Sequence, residues 1–113
     1  MARSNKPIVW SLFAAGGTLA AFAAPVLAGV FLAAALGQAP AGFDYDRVHA
    51  LAAHWAGKLV LGGTVILFLW HAAHRLRITL HDVGLRADTM AAVVFYLGAA
   101  IGSVLAVLAL ARI

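Results

Sequence analysis

The sequence predicts an all-α integral membrane protein with three transmembrane helices and its N-terminus on the cytoplasmic side. Three observations carry that expectation. Hydrophobic residues make up 65% of the 113 residues and charged residues only 11%, whereas soluble domains carry roughly 25% charged residues. A soluble chain this short cannot hide so much apolar surface, because small domains leave much of theirs exposed. Apolar stretches near the ~20 residues needed to cross a bilayer recur at about 8–36, 48–77 and 89–112. Basic residues are distributed unevenly between the ends of these stretches, which sets orientation. No linker is long enough to separate folding units, so residues 1–113 are expected to form one membrane domain.

The first stretch runs from Ile8 to Leu36 without a charge and includes Gly16, Gly17 and Pro25. Such residues are tolerated in membrane helices, where neighbours re-satisfy freed backbone groups; Pro25 is expected to kink this one. A secretory signal is the rival reading for residues 1 to about 23, with Arg3 and Lys6 before the apolar run and Ala21-Phe22-Ala23 as a small-x-small pattern. The uncharged run is much longer than the apolar core of a signal peptide, which argues against it.

Gly37, Pro40 and Gly42 interrupt the pattern, and Asp44 and Asp46 add solvated charge, so Gly37 to Arg47 reads as a loop. Either aspartate can cap the helix that follows. The second stretch is less pure. Its apolar centre, Leu59 to Trp70, is too short alone, and polar ends extend it. Lys58 at one end and Arg75 and Arg77 at the other can snorkel to the two interfaces, where Trp55 and Trp70 fit the aromatic belts. A second connection, roughly Ile78 to Asp88, carries His81, Asp82, Gly84 and Arg86. The third stretch, Met90 to Ala111, is uncharged and contains Gly98 and Gly102, a G-x-x-x-G pair of the kind that permits close helix packing.

Of the eight Lys and Arg residues, Arg3, Lys6, Arg75, Arg77 and Arg86 lie at the N-terminus or second connection. Arg47, Lys58 and Arg112 lie at the other ends. The positive-inside rule therefore puts the N-terminus and second connection inside, and the first connection and C-terminus outside.

The absence of cysteine excludes disulfides, thiolate zinc sites, cysteine-ligated iron–sulfur clusters and thiol nucleophiles within the chain. No basic run interleaved with aromatics suggests a nucleic-acid surface. Without paired carboxylates, a serine–histidine–acid set or a Gly-rich phosphate loop, the chain is a poor candidate for a self-contained enzyme.

Ionisable residues at membrane depth are costly and point to function. The densest group is Trp70-His71-Ala72-Ala73-His74-Arg75-Leu76-Arg77, followed by His81-Asp82. On a continuing helix Trp70 and His74 share a face, as do His71 and Arg75. Imidazole and guanidinium at the inner interface can bind a small polar head group; the plainer reading is interfacial anchoring. Axial haem ligation by one histidine is a rival, and a metal site from His71, His74 and His81 matches no zinc spacing. His54, near Trp55 and Lys58 on the outer side, is a candidate for a second polar site, against the plainer reading of an interface residue. Trp10 is a belt aromatic whose topology puts it on the same side as His74 and Arg75.

Several segments together resemble a known family. They are Lys6-Pro7-Ile8-Val9-Trp10-Ser11-Leu12-Phe13-Ala14-Ala15-Gly16-Gly17, Ala24-Pro25-Val26, Tyr45-Asp46-Arg47-Val48, Gly57-Lys58, Leu69-Trp70, His74-Arg75, His81-Asp82 and Phe95-Tyr96-Leu97-Gly98. Each is weak alone, but their order is specific and resembles the fumarate reductase D subunit, the smaller hydrophobic anchor of menaquinol:fumarate oxidoreductase. The resemblance implies a non-catalytic anchor in the bacterial inner membrane, serving anaerobic respiration. Its partners would be a flavoprotein with covalent FAD that reduces fumarate, an iron–sulfur subunit that feeds it electrons, and the C-subunit anchor. Menaquinol would bind where the anchors meet the iron–sulfur subunit, and the anchor itself would hold no haem and no metal. By resemblance Trp10, His74 and Arg75 match the family's quinone-site residues; His81 and Asp82 match as structural or docking residues. The sequence departs from the family at Arg77 and Ile78, where histidines are often found, at His71, and at His54, usually a small or polar residue. The alternatives are the haem-binding anchor of a succinate dehydrogenase and a small structural membrane protein without a cofactor.

Overall fold

The computed structural model describes residues 6–113; Arg3 lies outside them. They form four helices and, among the described residues, no strand: α1 Lys6–Ala35, α2 Tyr45–Ala53, α3 Trp55–Asp82 and α4 Asp88–Arg112. Helices α1, α3 and α4 have 30, 28 and 25 residues and are long and apolar enough to cross a membrane. At 1.5 Å per residue they reach about 38–45 Å, beyond the ~30 Å hydrocarbon core. α1 continues through Pro25.

The second stretch differs from its expectation. The sequence predicts a single helix over 48–77, but the structure divides it at His54, whose backbone is extended (φ −67°, ψ 143°). His54 closes α2 and opens α3. Its Nδ1 accepts the Ala56 N–H at 3.3 Å, satisfying one of the donors a helix start leaves bare. Gly57 permits the turn, because a Cβ there would collide with the Leu51 carbonyl oxygen of α2. α2, of nine residues, reaches only about 14 Å and cannot span, so α3 crosses alone. Asp44 caps α2, accepting the Arg47 N–H at 3.0 Å. At its other end α3 continues to Asp82, so His81 and Asp82 stand on a helix rather than in the expected connection, which shortens to 83–87. Gly84, at φ +89°, supplies the left-handed turn that most side chains resist.

α3 is the centre of the bundle and packs against α1, α2 and α4. The crossings use small residues. A Cβ on Gly16 would lie 2.7 Å from the Leu67 carbonyl oxygen, one on Gly62 3.2 Å from Leu110 Cδ1, and one on Gly102 3.0 Å from Leu69 Cδ1. Gly98 faces open space instead, so the G-x-x-x-G pair forms no single seam within the chain. Among the described residues the only buried hydrophobic side chains are those of Ala73 and Ala99. Helices in lipid associate this way, through close approach and packing rather than through burial from water. The large side chains face outward: Phe22 is 76% exposed and Phe31 63%.

Candidate functional site

The first turns of α1, the middle of α3 and the first third of α4 come together toward one end of the bundle. They enclose a cleft of about 580 Å³ lined by Trp10 and Phe13 of α1, Leu67, Trp70 and His74 of α3, and Tyr96 of α4, among others. Helical spacing explains the set: Leu67, Trp70 and His74 are three and four apart and share a face, as do Trp10 and Phe13. The walls are aromatic. Trp10 meets Phe13 edge-on at 5.6 Å and His74 at 6.2 Å, and Phe13 meets His74 at 4.7 Å. Trp70 stacks on Tyr96 at 6.0 Å. Such edge-on and offset contacts suit the ring quadrupoles.

Polar atoms are few and held in place. His74 Nδ1 lies 2.8 Å from the Tyr96 hydroxyl. The Arg77 guanidinium sits 5.8 Å from the Tyr96 ring centroid, reaches the hydroxyl at 3.5 Å, and grips both Asp88 carboxylate oxygens at 2.8 and 2.7 Å. This bidentate pair fixes the guanidinium plane and ties the end of α3 to the first turn of α4. His71 faces α1. Its Nδ1–H donates to the Phe13 carbonyl at 3.0 Å and its ring stacks on Phe13 at 4.4 Å. Gly17 leaves room for that ring, since a Cβ there would come within 2.6 Å of His71 Cε1.

The structure thus brings Trp10 and His74 together in one cleft. Arg75 is exposed and outside the lining, because neighbouring helix residues point about 100° apart. It makes no hydrogen bond or ion pair among the described residues. His54 caps a helix at the far end. Among the described residues no three histidine, cysteine or acidic side chains gather as a metal set. Sequence reasoning placed Trp70 and Arg77 in the polar cluster without assigning them to the site, and gave Tyr96 and Phe13 no role beyond the resembling segments. A phenol within an apolar run, and a tryptophan four residues before His74, were the signals available.

A family model described as the fumarate reductase D subunit matches residues 1–111. The protein of that name from Vibrio cholerae serotype O1 (strain M66-2) is 38% identical over 107 residues, covering 93% of this chain and 82% of that protein. One of the same name from Shewanella sp. (strain W3-18-1) is 37% identical, covering 92% and 88%. Another, from Aliivibrio fischeri (strain MJ11), is 36% identical, covering 93% and 89%. With three membrane-length helices, these matches make the assignment plain: the chain belongs to the fumarate reductase D-subunit family, as a membrane-anchor subunit.

Proposed function

We propose that this anchor, with a C-subunit partner, holds a flavoprotein carrying FAD and an iron–sulfur subunit against the cytoplasmic face of the bacterial inner membrane. Its cleft would form part of the menaquinol site that supplies electrons for fumarate reduction in anaerobic respiration. The observation that carries this reading is the cleft itself: aromatic walls with one imidazole as a convergent polar group. Apolar pockets with a few placed polar groups are how proteins take flat organic ligands. Oxidation of a bound quinol would release two electrons to the iron–sulfur subunit and two protons.

Within that site His74 would hydrogen-bond a ring oxygen and Trp10 would wall the ring. Arg75, at the same end and without an intrachain partner among the described residues, would reach a head group or the adjoining subunit from the rim. Lys6, Arg75, Arg77 and Arg86 cluster toward that end, which favours its lying on the cytoplasmic side. His54 keeps its candidacy for an outer polar site only through exposed atoms that its capping bond leaves over.

The test is quinol-driven fumarate reduction by the assembled complex. His74→Ala and Trp10→Ala should each slow it about three- to tenfold, the worth of one hydrogen bond or ring contact. Fumarate reduction driven by a soluble dye should stay at the wild-type rate. Wild-type quinol turnover in both variants would defeat the assignment.

A further inference from the structure

We infer that Tyr96 is a positioning residue that fixes the tautomer of His74, so that His74 presents an Nε2–H donor to the cleft. This rests on reading the cleft as the quinol head-group site, and it concerns how that site treats the ligand's oxygen.

The argument follows the donors. A guanidinium has only donors, so Arg77, reaching the Tyr96 hydroxyl at 3.5 Å, makes that oxygen an acceptor. Asp88 holds the guanidinium there with two bonds. The phenolic proton then has one hydrogen-bond acceptor in reach among the described residues, His74 Nδ1 at 2.8 Å. A neutral imidazole that accepts at Nδ1 carries its proton on Nε2. His71, three residues earlier, provides the contrast. Its Nδ1 faces the Phe13 carbonyl at 3.0 Å, and a carbonyl only accepts, so in His71 the proton sits on Nδ1. Two histidines on adjacent turns of α3 therefore hold opposite tautomers, each set by its partner on a neighbouring helix.

The consequence is chemical. Nδ1 of His74 is occupied and Nε2 is already protonated. His74 can donate to a quinone carbonyl or to a lone pair of a quinol hydroxyl, but it does not take the quinol's proton. It orients the ring oxygen, and the proton acceptor lies elsewhere. Tyr96→Phe keeps the ring stacked on Trp70 and removes only the hydroxyl, leaving His74 able to change tautomer.

The experiment uses the assembled complex with a short-chain naphthoquinol, comparing Tyr96→Phe, His74→Ala, His74→Gln and His74→Asn. The Tyr96→Phe variant should raise KM for the quinol about three- to tenfold with a smaller change in kcat and no change in dye-driven fumarate reduction. His74→Gln, whose amide N–H₂ falls near the Nε2 position, should keep most of the quinol affinity. His74→Asn, whose amide falls near Nδ1, should lose it. A wild-type KM in Tyr96→Phe beside an impaired His74→Ala overturns the tautomer assignment alone, as does equal behaviour of the Gln and Asn variants. Wild-type behaviour in both Tyr96→Phe and His74→Ala overturns the cleft reading and this inference with it.

Discussion

His71 and His74 are three residues apart on α3 and answer to different neighbours, one to a backbone carbonyl of α1 and the other to a phenol of α4. Glycines decide whether those neighbours can come close. At Gly16 the nearest obstacle to a Cβ is backbone, the Leu67 carbonyl oxygen, which cannot rotate away. Gly16→Ala should therefore push α1 from α3 and cost about 1–3 kcal/mol, the usual range for overpacking, read as a lower midpoint of thermal inactivation in detergent. Gly29→Ala, where a Cβ meets nothing within 4 Å, should be neutral or slightly stabilising, since alanine is the better helix former. Trp10 and His74 were singled out through the family resemblance, and the structure brings both to one cleft. The sequence hid the roles of Tyr96 and Arg77 because their contacts join residues 22 and 19 positions apart. The resemblance also paired His74 with Arg75; as consecutive helix residues they point in different directions, and only His74 lines the cleft.

Among the elements, the three long helices were legible because lipid imposes a length and a polarity on anything that crosses it. An aspartate cap was also legible, since aspartate before a helix start is a common signal, although the sequence left Asp44 and Asp46 equal and the structure selects Asp44. The break at His54 was not legible. Histidine is not among the preferred capping residues, and a glycine at 57 is compatible with an unbroken helix. What the break requires is a residue without a Cβ at 57, because the Leu51 carbonyl oxygen occupies the space a Cβ would need. Gly57→Ala should accordingly displace α2 and lower the recovered, heat-stable complex more than Gly16→Ala does. Gly63→Ala, in open space on the same helix, serves as the control. The early end placed on the second stretch has a polar origin: His81 and Asp82, with Gly84 and Arg86 close behind, suggested a connection from 78 onward, yet the helix carries His81 and Asp82 at its polar end.

At the scale of the whole molecule, the described residues form no core large enough to hold together in water. The hydrophobic side chains buried among the described residues are alanines, and most large apolar side chains are exposed. Three crossings put the two ends on opposite sides of the membrane. With the basic end inside, a reporter fused after Ile113 should be active on the periplasmic side, and one inserted in the 83–87 connection should be active in the cytoplasm. The reverse pattern would invert the proposed orientation.

The tie between Arg77 and Asp88 bears on how the chain enters the bilayer. α3 is the least apolar of the three spans, with a mean hydropathy of 1.5 against 2.1 for α1 and 2.4 for α4. It is also the helix on which the others pack. During synthesis it emerges before the helix that covers its second side, with Arg77 near its trailing end and its bidentate partner, Asp88, not yet made. Asp88, the first residue of α4, is the next acidic group after Asp82 to leave the ribosome. Its arrival neutralises the guanidinium as the most apolar segment follows, so α3 and α4 are suited to settle into the membrane as a hairpin rather than one after the other.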